Sequence, residues 1–477
     1  MTTAAPSKSD PTGTRAPSAT PPSLLPLAVT MCVGIVYFWF LETYGTFQFP
    51  SSVPDGRSSY LAAEALSILH GHWSVPPFYL AGLHGECFNY RNVCTGYYGI
   101  MPSLLRIPAV ALVGDSRFIT PLYLLASFAT YLVAAFLVIR NLLSLKRPGS
   151  TLSARAQIGL GLLVVFSPVS YLAVRGYMYE EEILWGVAFL MATFAWLIKY
   201  LATWKSSDLW IGIAFGLATV QSRPPEGITA VIACVGISAL YSRGARRIWF
   251  SAASIVSGLS LAVVNLSKFG VISPSLQHHD GYLSNPIRLA FVTRCGDFNV
   301  GRIPSAVLLY LVPNFHGWPL NFAYTPDQYA LHFANLTVTN SCTESLEAFS
   351  PVSVTYPALT ACAAFGVCVI VKAIFNRKIL NYAWVGVFVA AGAIGIATVL
   401  SAVGETERYL GDFTPLLLIL AFVGVVDAPE RGRFVRRAMF WPLMAGQIFL
   451  AYASIFAFWS MFPDKPGSFA NLLRFWF

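Results

Sequence analysis

The sequence predicts an all-α polytopic membrane protein of about eleven transmembrane helices, with two large exoplasmic loops carrying short interfacial helices. Three observations lead there. Of the 477 residues, 56% are hydrophobic and only 11% charged, against roughly a quarter charged in soluble domains. Apolar runs of about twenty residues recur, each long enough to cross a hydrocarbon core about 30 Å thick as a helix that satisfies its own backbone. The basic residues also fall on alternate sides of those runs.

Residues 1–24, rich in Ser, Thr, Pro and Ala and without apolar periodicity, read as a disordered cytoplasmic tail. The stretch Leu25 to Tyr44 is too long for a signal-peptide core and is followed by no small-residue cleavage site, so it counts as the first span. Spans are expected near residues 25–45, 118–140, 156–174, 182–202, 209–222, 226–241, 248–267, 352–374, 382–402, 409–426 and 438–461. Residues 25–477 then form one transmembrane domain, with exoplasmic loops at about 46–117 and 268–351.

A cytoplasmic N-terminus assigns 18 of the 31 basic residues to the inner segments but only four of the 22 acidic ones. Retention of Lys and Arg on the cytoplasmic side is the usual topological rule. It makes the chain a multi-pass membrane protein with an exoplasmic C-terminus. The net charge of +9 is therefore a topological signal. Because the basic residues are scattered over separate loops, membrane lipids are expected partners and nucleic acid is not.

All seven histidines fall in the two long loops, as do Cys87, Cys94, Cys295 and Cys342; Cys32, Cys234, Cys362 and Cys368 lie within apolar spans as small packed hydrophobes. The outer four suit disulfides in an oxidising compartment. The short loop between Cys87 and Cys94 favours that pair, while connectivity stays open.

The first loop opens Pro54-Asp55-Gly56-Arg57, a turn just past the first span, and continues into a short helix whose Leu61, Ala65, Leu66, Ile68 and Leu69 suit the membrane interface. Asp55 reads as a poised acid or as an ordinary turn or cap residue. Glu180-Glu181-Glu182 opens the fourth span: either a cation- or acceptor-facing group, or a solvated helix N-terminus. Arg223-Pro224-Pro225-Glu226 breaks an apolar stretch, because proline lacks an amide donor and restricts its predecessor. Arg223 there either pairs with Glu226 or meets a phosphate. Before the tenth span stand Glu405, Glu407 and Arg408, with Asp412 one turn inside; an acid in that position calls for a partner or a function. Arg408 reads as a phosphate contact or as the partner of Asp412 or Glu405. His278-His279-Asp280, His70 and His72 are weak metal-ligand candidates. Trp318, Phe322, Tyr324 and Tyr329 read as a carbohydrate-contacting lid or as interfacial packing.

Several of these features occur together in a known group. Asp55 with Tyr60 five residues on and Gly71 beyond, Leu104-Leu105-Arg106-Ile107-Pro108 before Gly114-Asp115, the Ser222 to Glu226 break, and Glu407-Arg408-Tyr409 before Asp412-Phe413-Thr414-Pro415 resemble C-type (GT-C) membrane glycosyltransferases, in particular the protein-mannosyltransferase-like branch and its actinobacterial members. The resemblance covers most of the chain. It implies a protein of the plasma (inner) membrane and an inverting transfer, on the exoplasmic side, from a polyprenyl-phosphate sugar donor to a glycan, lipid or protein acceptor in cell-envelope synthesis. Asp55 would be the catalytic base or a metal ligand; Arg408, Arg223 and Arg57 would bind the donor phosphate; Glu180, Glu181 and Glu407 would orient acceptor or cation. Many members carry paired acids where this chain has Asp55-Gly56, which leaves room for a metal-free mechanism; no cofactor is fixed and a divalent metal stays open. A secondary transporter, for which the Pro-Pro break speaks, and a non-catalytic membrane assembly protein are the alternatives.

Overall fold

The computed structural model describes residues 23–43, 60–75, 87–90, 93–96, 99–114, 119–146, 152–170, 172, 178–311, 341–343, 347–349, 356–376, 382–406, 409–427 and 433–460. They form an all-α polytopic membrane protein. The helices are α1 (Leu25–Glu42), α2 (Tyr60–Leu69), α3 (Met101–Val113), α4 (Ile119–Lys146), α5 (Ala154–Val165), α6 (Met178–Thr203), α7 (Ser206–Val220), α8 (Pro224–Tyr241), α9 (Ala245–Phe269), α10 (Pro286–Cys295), α11 (Ile303–Leu311), α12 (Pro357–Phe375), α13 (Ala383–Leu400), α14 (Leu410–Asp427) and α15 (Arg433–Ser460). A helix stands at each of the eleven expected span positions. Seven of these, among the described residues, are by themselves long and apolar enough to cross a membrane.

The core is organised around α6, whose residues Ile183 to Leu201 are almost wholly buried. Helix α4 runs along it, and α7, α8 and α14 complete its surroundings. A helix apolar on all sides is what such a central position requires. By contrast α9 is peripheral: Ile248, Trp249 and Val263 are 71%, 69% and 66% exposed, a face suited to lipid. Glycines allow the tightest crossings, notably Gly424 of α14 against the backbone of Gly366 in α12.

Intramembrane polar side chains satisfy backbone groups that helix ends leave open. Gln447 of α15 accepts from the amide of Leu359 (2.8 Å) at the start of α12 and donates to the carbonyl of Phe166 (3.0 Å) at the end of α5. One side chain thereby ties three helices together. Asn141 of α4 instead crosses to the interior of α6, donating to the carbonyl of Ala195 at 2.8 Å.

The two long connections contribute small satellites at one end of the bundle. Strands β1 (Phe88–Tyr90) and β2 (Val93–Thr95) make an antiparallel hairpin, and β3 (Glu347–Phe349) lies parallel to β4 (Gly404–Thr406). Phe291, Val292, Cys295 and Val403 form a second apolar cluster, tied by a Cys295–Cys342 disulfide. Arg302, fully buried, donates to the carbonyls of Cys295, Gly296, Asp297 and Ser401, which docks the second loop onto the end of α13. Cys87 is disulfide-bonded; Cys94 lies on the partner strand opposite Asn89, and its side chain is outside the described residues.

One expectation changes. The apolar side of α2 does not simply lie on the interface: Tyr60 through Ala65 are buried, and only the last turn, with Leu69 45% exposed, emerges. A carboxylate, Glu64, goes in with it.

Candidate functional site

The end of the bundle that carries the long connections also gathers most of the buried charge. Local sequence explains how it is assembled. Pro224 and Pro225 occupy the first turn of α8, where a missing amide costs nothing, and Arg223 precedes them in extended backbone. The chain therefore stops at Val220, turns through Gln221–Ser222, and restarts with Arg223 and Glu226 side by side. Gly186 of α6 faces this turn; a Cβ there would stand 2.6 Å from Cβ of Arg223. Only glycine lets the arginine come so close. The loop ahead of α3 packs onto the same turn, the Met101 amide donating to the carbonyl of Gln221 at 2.8 Å.

Two linked clusters result. In the first, Glu64 accepts from Tyr60 (3.2 Å), Ser103 (2.6 Å) and Lys268 (2.8 Å), so α2, α3 and α9 meet on one carboxylate. Gly270, in left-handed backbone, ends α9 just beyond Lys268. Burial, then the neighbouring carboxylates of Glu64 and Glu182, holds the Tyr60 hydroxyl well above the ordinary phenol range, so it remains a donor. Beside this, Arg106 of α3 forms an ion pair with Glu181 of α6, both side chains fully buried, and lies over the Tyr123 ring.

In the second cluster, Arg223 lies between Asp412 of α14 (3.4 Å) and Glu226 (3.8 Å), over the ring of Tyr409. Burial by itself would lower the pKa of this guanidinium; Asp412, then Glu226, Tyr409 and Glu182, keep it above its ordinary value. Glu182 joins the two clusters, within electrostatic reach of Arg223, Glu64 and Lys268, and Glu42 at the end of α1 faces Glu181.

The three cations are not equivalent. Side chains of Arg106 and Lys268 are 0% and 1% exposed and held tightly; that of Arg223 is 17% exposed, and its contacts are long, compared with about 2.7–2.9 Å for a strong charge-assisted bond. Among the described residues the two clusters and their surroundings bury seven carboxyl groups, Glu42, Glu64, Glu180, Glu181, Glu182, Glu226 and Asp412, against those three cations, while a fourth buried cation at this end, Arg302, is spent on backbone carbonyls. One oxygen each of Glu42, Glu181, Glu182 and Asp412, and both of Glu226, has no hydrogen-bond donor among them. Buried acceptors in this state are costly, and a ligand rich in hydroxyl donors would satisfy them.

No family model and no curated protein matches the chain. Among solved structures it is similar to the archaeal oligosaccharyltransferase AglB from Archaeoglobus fulgidus, determined in complex with an inhibitory peptide and a dolichol-phosphate. The identity is 12% and the TM-score 0.48, over 91% of this chain and 55% of that one. The chain thus spans about half the length of that protein.

Of the residues singled out from sequence, Glu180 and Glu181 are buried, which overturns the solvated helix N-terminus, and Arg223 takes both Glu226 and Asp412. Asp55, Arg57, Glu407, Arg408, Trp318, Phe322, Tyr324 and Tyr329 lie outside the described residues. His279 packs on Phe88 and Tyr282, and His278 stacks on Tyr90. His70, just past α2, contacts the carbonyl of Leu66 in that helix, and His72 is exposed. No group of three or more His, Cys, Asp or Glu among the described residues is arranged to hold a metal. Sequence reasoning missed Glu64, Arg106 and Lys268. Their signal was available: each is a lone charge in an apolar run, and a charge in such surroundings requires a partner.

Proposed function

We propose that the chain is a GT-C-like membrane glycosyltransferase that takes a sugar from a polyprenyl-phosphate donor and passes it to a glycan, lipid or protein acceptor at the exoplasmic end of the bundle. One observation carries the reading. A partly exposed, loosely paired arginine, Arg223, stands at the end of the bundle that carries the long connections, beside buried carboxylates with oxygens that lack donors. An anionic phosphate and a polyhydroxylated sugar supply what each of these groups needs.

In this scheme Asp55 takes the proton of the acceptor hydroxyl as its oxygen bonds to the anomeric carbon and the bond from that carbon to the phosphate oxygen breaks. Arg223, with Arg408 and Arg57, neutralises the charge that grows on the departing phosphate. Glu180, the free oxygen of Glu181, and Glu407 orient the acceptor. Attack opposite the leaving group inverts the anomeric centre.

The test is transfer by the purified full chain from a panel of labelled polyprenyl-phosphate sugars. A glycosylated product that disappears in Asp55→Ala supports the reading. Substrate flux into proteoliposomes without a covalent product would support a transporter instead, and full activity in Asp55→Ala would remove the assigned base.

A further inference from the structure

The opposite end of the bundle carries charge of a different kind. Helix α9 reaches the candidate site with Lys268 near its end, and its 25 residues at about 1.5 Å each put its first turn about 35 Å away, a membrane's thickness. There the α6–α7 turn and the α8–α9 turn lie side by side. Arg246 donates to the Ser206 hydroxyl (3.4 Å), the hydroxyls of Tyr200 and Ser242 share a hydrogen bond (3.0 Å), and the rings of Trp210 and Phe250 meet edge to face at 5.1 Å.

Four cations stand on these two turns, Lys205 on the first and Arg243, Arg246 and Arg247 on the second. All four are exposed, and none has an acidic partner among the described residues. The carboxylate closest in sequence, Asp208, is buried and taken by Lys199 (3.1 Å) and Thr203 (2.6 Å). Retention of basic residues on one side of a membrane accounts for their side but not for their grouping: Arg140, Arg155 and Lys372, also exposed at this end, stand on three separate helices. Unneutralised like charges repel one another, so the group is better served by an anion than by its own surroundings.

Aromatic and apolar surface adjoins the charge. Trp204, Trp210 and Trp249 are exposed on the same two turns, as expected of indoles at headgroup level. Trp204 has φ 57°, a conformation that favours glycine and that no other non-glycine residue shares among those described. Its ring packs on Tyr200 of α6 and Tyr241 of α8, which holds the indole between the turns, 58% exposed. From there Ile248, Ile255 and Leu259, exposed and spaced seven and four residues apart, line one face of α9 leading away from the cations. A free phosphate would use the charge and leave this face bare; a zwitterionic lipid would cover the face and leave the charge unmet.

We infer that the paired α6–α7 and α8–α9 turns bind an anionic phospholipid, its phosphate among Lys205, Arg243, Arg246 and Arg247 and its acyl chains along the exposed face of α9. The site is separate from the one proposed for sugar transfer and does not rest on it. Attraction of an anionic lipid to each such cation corresponds to about fivefold in binding.

The experiment uses the full chain in detergent and counts retained lipid by native mass spectrometry at rising concentrations of dioleoyl phosphatidylglycerol or dioleoyl phosphatidylcholine. The natural protein should hold phosphatidylglycerol more tightly. Arg246→Gln/Arg247→Gln should weaken phosphatidylglycerol about 25-fold and leave phosphatidylcholine unchanged, and Lys205→Gln, on the other turn, should by itself weaken phosphatidylglycerol about fivefold. Arg155→Gln/Lys372→Gln, two exposed cations outside the patch, should change neither lipid by more than about twofold. All these side chains are exposed, so each variant should melt like the natural protein without lipid. Equal affinity for the two lipids, undiminished phosphatidylglycerol binding in Arg246→Gln/Arg247→Gln, or the same loss in Arg155→Gln/Lys372→Gln overturns the site. Glycerol 3-phosphate binding as tightly as phosphatidylglycerol overturns the lipid as occupant and assigns the patch to a soluble phosphate.

Discussion

Replacing Lys268 by Met separates electrostatics from packing at the candidate site. The ammonium lies 2.8 Å from Glu64, with side chains 1% and 0% exposed. Met keeps most of the apolar stem and removes the charge. Glu64 would retain Ser103 and Tyr60 as donors but would be an uncompensated carboxylate beside Glu182, a loss of about 3–5 kcal/mol for a broken buried pair. Ser103→Ala removes one hydrogen bond from the same carboxylate and should cost about 0.6 kcal/mol, the average for interhelical hydrogen bonds in membranes, and no more than about 1.7 kcal/mol, the largest. The double variant Glu64→Gln/Lys268→Met eliminates both charges and should recover most of the loss, ending within about 2 kcal/mol of the natural protein. Reversible unfolding in mixed micelles with increasing SDS fraction gives these stabilities and, with Glu64→Gln alone added to complete the cycle, the coupling energy of the pair. The reasoning fails if Lys268→Met lies within about 0.5 kcal/mol of the natural protein, or if the double variant is no more stable than the single one.

Gly186→Ala should push Arg223 out of its place and cost about 1–3 kcal/mol by overpacking, with donor-phosphate binding reduced more than unfolding stability, read by calorimetry alongside melting. Replacing both Cys295 and Cys342 by Ser opens a crosslink spanning 47 residues and should cost about 4 kcal/mol by the chain-entropy relation; limited proteolysis of the second loop would report it. Arg302→Lys keeps the charge but cannot reach the four carbonyls that the guanidinium serves, so accelerated proteolysis of the same loop is expected. Cysteines placed in residues 46–117 should react with an impermeant reagent from outside the cell, and cysteines in 431–437 should not; the reverse result would invert the topology.

The eleven span positions and the charge asymmetry were readable without coordinates, because both depend on composition along the chain. A run such as Leu25 to Leu41 or Trp384 to Leu400 must become a helix in lipid whatever its neighbours are. The Pro224-Pro225 break was likewise readable as a helix end, since the restriction is local to the proline ring. Candidate residues were recognisable by type at a boundary: Arg223 and the Glu180-Glu181-Glu182 run stand out as charges next to apolar sequence.

Which charge meets which was not readable. Lys268 pairs with a residue 204 positions away and Arg223 with one 189 away, and such pairings follow from how helices pack. The direction of α2 was decided in the same way: its pattern fits a lipid-facing surface, but the Glu64 carboxylate finds three donors only inside the bundle. The sequence by itself therefore determined that this chain spans a membrane and at which end its polar chemistry lies, because partition into lipid is a sum over neighbouring residues. Tertiary structure alone decided that Arg106 and Lys268 are locked while Arg223 is loosely held. That difference depends on distances between helices far apart in the chain.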